Sequence, residues 1–237
     1  MKLSAPIYLL KRRAKRLARE QDIPLNEALD RIALQEGCKT WSLLASRHAA
    51  ITPVGKLFGR LAPGDLVLIG ARPGQGKTLM SLELAVEAMR SGSRSVFFTL
   101  EYTEKDIRDR FRTIGWDLDH FDGLFSFDCS DTINADHIMR TLTSAPRGTL
   151  AVVDYLQLLD QKRENPPLAD QVRALKTFAL GRELVIVFVS QIDRSYDPSK
   201  KPYPDMHDIR LPNPLDLELF SKACFLNNGK LRVEAVS

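Results

Sequence analysis

The chain has 237 residues, 44% of them hydrophobic, and a net charge of +4, which suits one sizeable α/β core with a small appendage. It contains no run of 18 apolar residues, so we expect no membrane span, and no apolar segment follows the basic N-terminus as a secretory signal requires. Cys38, Cys129 and Cys224 form no CxxC pair, which favours reduced, core-packed thiols in a cytoplasmic protein over a zinc site.

The positive charge is concentrated at the N-terminus. Residues 1–20 carry seven basic side chains and one acid, Glu20, so this segment has a net charge of +6 and the remainder about −2. Such asymmetry indicates an acidic partner, with nucleic acid the first candidate. A solvated basic helix without a partner is the alternative.

Residues 5–48 have the pattern of three short helices. Apolar residues at helical spacing predict the first; Asp22 and Pro24 open the second, which ends at Gly37; and Thr40 is a candidate cap for the third. A unit of this size would be marginally stable alone. We therefore expect it to pack on the main domain or on a neighbouring subunit.

A connector is predicted from Ile51 to Gly64, where proline and glycine recur and Pro63-Gly64-Asp65 forms a turn signal. This places the domain boundary near residue 50. Residues 1–50 are thus predicted to be a small basic helical segment and residues 51–237 the main domain.

The sequence LVLIGARPGQGKTLMS then reads as a buried strand, a glycine-rich turn and a helix, which is the context of a P-loop. Gly74 and Gly76 allow backbone N–H groups to surround a phosphate, Lys77 would reach the β- and γ-phosphates, and the Thr78 hydroxyl would hold Mg²⁺. Ala71 stands where the usual pattern has glycine, but it is small enough for the turn. The predicted nucleotide-binding residues are Ala71, Arg72, Pro73, Gly74, Gln75, Gly76, Lys77 and Thr78.

Strands and helices alternate from here on, which predicts βαβ units and a largely parallel sheet. A loop rich in proline, residues 195–214, interrupts this alternation, and loops of that length are usually functional or disordered. The predicted strands are 66–69, 95–100, 124–129, 150–154, 184–189, 223–226 and 231–235, and the predicted helices are 103–114, 135–142 and 168–180.

Three polar residues end predicted strands, at the sheet edge where ligands of open α/β sheets bind. Asp154 could hold Mg²⁺, directly or through water, or could merely cap a turn. Glu101 could polarise the attacking water if its strand neighbours the P-loop strand, or could be an exposed acid at a helix entry. Gln191 has the amide expected of a γ-phosphate sensor, and for Arg194 a salt bridge competes with a phosphate contact.

Four ordered motifs, ARPGQGKT, FFTLE, VVDYLQLL and FVSQIDRS, resemble those of the ATPase domain of DnaB-type replicative helicases over roughly residues 51–236. The resemblance implies a RecA-like fold, ATP with Mg²⁺, a homo-hexameric ring and single-stranded DNA. It identifies Lys77 and Thr78 as the P-loop pair, Glu101 as the catalytic glutamate, Asp154 as the Walker B aspartate and Gln191 as the sensor glutamine.

The sequence also departs from that family. No segment clearly matches the KxRNG-type segment that supplies an arginine finger, although Lys230 and Arg232 have a K-x-R spacing, and a basic piece replaces the usual helical N-terminal domain. These departures favour an alternative function, a nucleotide-gated DNA-binding or assembly module without unwinding activity. Charge alone suggests DNA contacts in two loops, with solvated charge as the alternative; these residues are Lys162, Arg163, Lys200, Lys201 and Arg210.

Overall fold

The computed structural model describes residues 3–5, 7–45, 52–121, 123–211 and 213–236, and this part of the chain contains a seven-stranded sheet flanked by helices. The strands are β1 (Leu66–Ala71), β2 (Ser95–Thr99), β3 (Phe125–Asp128), β4 (Leu150–Asp154), β5 (Val185–Gln191), β6 (Lys222–Asn227) and β7 (Lys230–Ala235). The helices are α1 (Ile7–Gln21), α2 (Leu25–Gln35), α3 (residues 41–45), α4 (Pro53–Phe58), α5 (Lys77–Arg90), α6 (Glu104–Thr113), α7 (Ala135–Thr141) and α8 (Leu168–Arg182).

The sheet order is β3-β2-β4-β5-β1-β6-β7, and every neighbouring pair is parallel except β6–β7. The strands β1, β2 and β4 are buried along their whole length, because helices cover both faces of the sheet. Helices α4, α5 and α6 pack on one face, and α7 and α8 pack on the other. The predicted α/β architecture with a largely parallel sheet is confirmed.

The role predicted for Glu101 required that β2 lie next to β1, the P-loop strand. This condition is wrong. Strands β4 and β5 lie between β2 and β1. However, parallel strands all end at the same sheet edge, and Thr99, the last residue of β2, is in register with Asp154 at the end of β4. The residues after β2 therefore still lie at the edge where the P-loop begins.

The predicted connector contains a helix, α4, which the sequence interpretation missed. Thr52 precedes it with extended backbone, and its side chain accepts a 2.9 Å hydrogen bond from the Gly55 N–H. Pro53 occupies the first helical position, where a missing N–H costs nothing. The pair Thr-Pro is thus a helix start signal, which the nearby glycines obscured.

The N-terminal helices form a small core of their own. Leu10 and Ala14 of α1 pack against Ala28 and Ile32 of α2. The predicted cap of α3 is also present, since the Leu43 N–H donates to the Thr40 hydroxyl over 3.2 Å. The domain boundary near residue 50 falls among residues 46–51, outside the described residues, and stays a prediction.

This helical unit packs on the main domain, as its small size led us to expect. The Lys11 ammonium lies 4.1 Å from the centroid of the Trp116 ring, and Trp116 follows α6 of the main domain. Such a cation–π contact contributes on the order of 0.5–2 kcal/mol. It therefore helps to attach α1 to the main domain.

Smaller differences concern helix ends and one cysteine. Helix α8 continues past Gly181 to Arg182, and Glu183 then adopts a left-handed conformation that ends it. Cys38 and Cys224 are buried as expected, but Cys129 is exposed because it follows the edge strand β3. Among the described residues, no helix combines the length and the apolar character that crossing a bilayer requires.

Candidate functional site

The glycine-rich turn joins β1 to α5 at the carboxyl edge of the sheet. Ala71 is fully buried as the last residue of β1, so it belongs to the strand and its methyl group fits there. Gly74 and Gly76 have φ values of +77° and +83°, which strain any residue with a Cβ. Gly76 directly precedes α5, and the turn thus directs backbone N–H groups and the positive helix end to one place.

Two predicted metal-binding side chains meet below this turn. Thr78, in the first turn of α5, donates a hydrogen bond of 2.9 Å from its hydroxyl to Oδ2 of Asp154, the last residue of β4. Both residues are buried. The second carboxylate oxygen of Asp154, Oδ1, has no hydrogen-bond partner in the part of the chain that the structure describes. It is therefore a buried acceptor available to a ligand or to water.

The environment of Asp154 disfavours a negative charge when no cation is bound. Burial raises the pKa of this carboxyl group to about 6, although the hydrogen bond from Thr78 lowers the pKa. The negative charge of Glu101 raises the same pKa, whereas the positive charges of Lys77 and Arg110 lower it. Glu101, Lys77 and Arg110 therefore lie close enough to Asp154 for their charges to act on it.

Glu101 lies two residues beyond the end of β2 and is exposed. Its main-chain N–H donates to the Thr99 hydroxyl over 3.1 Å, which fixes the backbone where the strand ends. An exposed carboxylate at this edge is accessible to water, in contrast to the buried Asp154. The two acids are thus suited to different tasks.

Gln191 is the last residue of β5 and is in register with Ala71 of β1, so its amide lies beside the start of the turn. Its side-chain oxygen accepts from the Arg210 guanidinium at 3.5 Å, and its main-chain oxygen accepts from the Arg210 N–H at 2.8 Å. Gln157, which follows β4, donates to the Arg210 carbonyl oxygen over 2.7 Å. Arg210 is consequently connected to the ends of both β4 and β5.

The described part of the long loop contains local structure that its composition did not predict. Ile192 and Ile209 form an antiparallel bridge at its base, and a 3₁₀ turn spans Met206–Asp208. The ammonium of Lys201 binds the carboxylates of Asp205 and Asp208, so this cation is neutralised within the loop. It is a poor candidate for the DNA contact that charge alone suggested.

The sequence interpretation also missed Arg110. Its guanidinium carbon lies 4.1 Å from the centroid of the Tyr102 ring, beside Glu101, and its Nε atom is buried without a partner among the described residues. Arg110 is one of three arginines in α6, which occupy every second position from residue 108 to residue 112. The sequence alone therefore does not single it out. Only the tertiary structure distinguishes the arginine that acts on Asp154 from the two that form ion pairs with helix acids.

This donor set fits a nucleoside triphosphate with Mg²⁺. The left-handed glycines form a concave backbone for phosphate oxygens, and the Thr78 hydroxyl together with the unpartnered Oδ1 of Asp154 offers the hard oxygen ligands that Mg²⁺ prefers. Lys77, Glu101 and Gln191 add an ammonium, a carboxylate and an amide at the same edge. These are the groups that phosphoryl transfer to water requires.

Comparisons with known proteins agree with this geometry. A family model described as "ATPase: KaiC" matches residues 48–203, well over half of the chain. The replicative DNA helicase DnaB of Helicobacter pylori is 26% identical over 179 residues, covering 62% of this chain and 37% of that protein. A probable plasmid replicative DNA helicase of Chlamydia trachomatis is 25% identical over 213 residues, covering 73% of this chain and 47% of that helicase.

Solved structures show the same fold. One solved ATPase domain superimposes with a TM-score of 0.57 at 21% identity, covering 71% of each chain. A DnaB-like replicative helicase studied with primase gives a TM-score of 0.59 at 17% identity, covering 96% of this chain and 74% of that one. The chain spans less than half the length of the two helicases matched in sequence. The chain therefore belongs to the KaiC-type ATPase family, and its RecA-like domain is homologous to the ATPase domain of DnaB replicative helicases.

Proposed function

We propose that this protein hydrolyses ATP with Mg²⁺ and couples the reaction to movement on single-stranded DNA, as a DnaB-like helicase or translocase. The observation that carries the proposal is the buried hydrogen bond between Thr78 and Asp154, directly below the left-handed P-loop glycines. A threonine paired with an aspartate across 76 positions of the sequence is the arrangement that a P-loop and a Walker B strand bring together.

Each residue has a distinct role in this proposal. Mg²⁺, when bound, would neutralise charge on the β- and γ-phosphate oxygens. Thr78 and Asp154 would hold that ion, and Lys77 would stabilise the charge that develops on the γ-phosphate in the transition state. Glu101, being exposed to water, would orient and deprotonate the attacking water molecule.

Gln191 would sense the γ-phosphate and transmit its loss. Its contacts with Arg210 support this role, because a movement of the amide would change the anchoring of the long loop. Arg110 would act as a positioning residue, since its stacking on Tyr102 holds a positive charge that acts on Asp154.

We further propose that the active form is a homo-hexameric ring with single-stranded DNA in its channel. The homology to DnaB helicases supports this assembly. One contact favours the alternative, a nucleotide-gated module without unwinding activity: Arg232, the candidate arginine finger, forms a 2.8 Å ion pair with Glu234 of its own strand. A strand-displacement assay with purified protein separates the two, because the module would bind ATP without displacing a strand.

Phosphate release from ATP, measured with Lys77→Ala, tests the ATPase half of the proposal. We expect turnover to fall at least about 10²-fold, since a preorganised charge of this kind contributes that much to the rate. Lys105→Ala removes an exposed ammonium near the start of α6 and is the matched control with unchanged turnover. Undiminished hydrolysis by Lys77→Ala would refute the assignment of this site.

A further inference from the structure

One face of α1 carries a positive charge that the ATP site does not use. Arg12, Arg13, Arg16 and Arg19 are exposed along about two turns of this helix, with Lys15 half-buried between them. The first turn of α1 contains no acid. Among the described residues the only ion pair on this face joins Arg16 to Glu20 over 3.5 Å. We call these five cations the α1 basic face.

The spacing of these cations makes the face repel itself. Arg12 and Arg16, and likewise Lys15 and Arg19, are four residues apart on the helix, where like charges destabilise by a few tenths of a kcal/mol per pair. Glu20 is the one acid paired with this face among the described residues, so anions supplied from outside the chain would reduce the remaining repulsion.

The α1 basic face continues onto the main domain. A shallow groove beside it is lined by Arg12 and Lys15 together with Arg112, Trp116, Asp117 and His120, which belong to α6 and the segment after it. Lys11, at the same junction, has its pKa lowered to about 8 by burial and by the charges of Lys15 and Arg90. Three cations from two parts of the fold, Arg12, Lys15 and Arg112, thus line one groove, where Asp117 is the acid and Arg112 is also ion-paired with Asp109.

We propose that the α1 basic face and this groove bind the phosphodiester backbone of nucleic acid, as a contact surface separate from the ATP site. This proposal adds a second contact surface to the proposed action on single-stranded DNA. It rests on the proposed function only for the choice of a single strand as the ligand. A continuous row of cations matches a polyanion with evenly spaced charges, and arginine forks pair well with phosphate. Binding should depend little on base sequence, because phosphate contacts carry no sequence information and the half-buried Trp116 ring already holds the Lys11 ammonium 4.1 Å from its centroid.

An anionic membrane is the other polyanionic surface to consider, and the packing of α1 disfavours it. A helix that binds in the membrane interface inserts its apolar face. In this protein Leu10 and Ala14, on the apolar face of α1, are fully buried against α2. The helix therefore has charge to offer a membrane but no free apolar face.

The test is fluorescence anisotropy of a labelled 30-nucleotide dT strand with the full chain, without nucleotide, between 50 and 200 mM salt. We expect the triple variant Arg12→Gln, Lys15→Gln, Arg19→Gln to have a log–log salt slope about 2 units shallower, since each lost phosphate contact removes about 0.7. Over this fourfold salt range, the affinity of the wild type should then fall about 20-fold more than that of the variant. The variant should fold normally, because it removes like-charge repulsion.

The matched control removes three exposed arginines from the opposite side of the sheet, with Arg140→Gln, Arg147→Gln and Arg173→Gln. It has the same change in net charge and should keep the wild-type slope. Equal slopes for the wild type and the α1 variant, or an equal loss in the control, would overturn the proposal. So would tight binding to vesicles containing 30% phosphatidylserine combined with no binding to dT or to a 30-base-pair duplex.

The Lys77→Ala variant distinguishes this inference from the proposed function. If the P-loop assignment is correct, this variant loses ATP turnover but binds dT with wild-type affinity. If ATP turnover persists in Lys77→Ala, the proposed function fails, while the result for the α1 variant still decides the DNA-binding surface.

Discussion

Titration of Asp154 is expected to make the nucleotide-free protein less stable as the pH rises from about 4 to about 6. The pKa of this group is raised from 3.8 to about 6 in the folded protein, mainly by burial. Between these two values the folded state keeps a proton that the unfolded state has lost, so the free energy of unfolding falls with rising pH. A difference of about 2 pKa units corresponds to a loss of about 3 kcal/mol, complete above pH 6 to 7.

Urea denaturation between pH 4 and pH 7.5 measures this loss when wild type and Asp154→Asn are compared. Asparagine at position 154 cannot ionise, so the wild-type free energy of unfolding should drop by about 2.5 kcal/mol relative to that of the variant between pH 4 and pH 7.5, the remaining ~0.5 kcal/mol being lost below pH 4. The comparison is needed because burial also raises the pKa of Glu83, which adds to the total pH dependence. Asp131→Asn, at a largely exposed acid, is the control and should run parallel to the wild type.

The same carboxyl group should link nucleotide binding to pH. Mg²⁺ binds the ionised form, so the stabilisation by Mg·ADP, read as the shift in melting temperature, should grow between pH 5 and pH 7 in the wild type. In Asp154→Asn the shift should be small and nearly independent of pH. A constant difference in stability between wild type and variant, or a pH-independent nucleotide shift in both, would refute the reasoning on Asp154.

Three further predictions concern single residues. Gly76→Ala should lower the free energy of unfolding by about 1–2 kcal/mol in urea denaturation and weaken nucleotide binding, because Gly76 has a φ of +83°. Gly181→Ala, inside α8, should instead raise the free energy of unfolding by about 0.5–1 kcal/mol. Equal changes in stability for the two variants would contradict this prediction. Thr103→Ala should lower the free energy of unfolding by about 1 kcal/mol, since it removes the capping box with Asp106 at the start of α6. An unchanged midpoint of urea denaturation would argue against that capping box. Arg110→Gln should raise the pKa of Asp154 and move the acid limb of the ATPase pH profile upward, while Arg112→Gln, ion-paired with Asp109, should not.

Much of the fold was predictable because local signals were unambiguous. Buried strands such as β1 and β4 are continuous apolar runs, and the capping pair Thr103 and Asp106 marks the start of α6 directly. The order of the strands was not predictable in the same way. In the sheet, β4 and β5 lie between β2 and β1. The sequence of β2 does not predict this, because strand order depends on how the helices pack across both faces of the sheet.

The candidate site was predictable to the extent that its residues end strands. Asp154 and Gln191 follow apolar runs, so their position at the sheet edge follows from the parallel fold. Arg110 and Gln157 were missed because each reaches its partners from a helical segment, through a side-chain direction that no local pattern encodes. Lys201 was misleading for a related reason, as its neutralising acids lie four and seven residues later in an irregular loop.

The contacts of Arg210 suggest how the two ends of the site communicate. Its carbonyl oxygen is held by Gln157, three residues after Asp154, and its N–H and guanidinium are held by Gln191. A shift of either strand end would therefore act on the same short segment, next to the bridge that closes the long loop. Within that loop, Lys201 joins Asp205 and Asp208, the residues just before the bridge. A change of phosphate state at the sheet edge would in this way reach the base of the loop, as the proposed coupling of hydrolysis to movement requires.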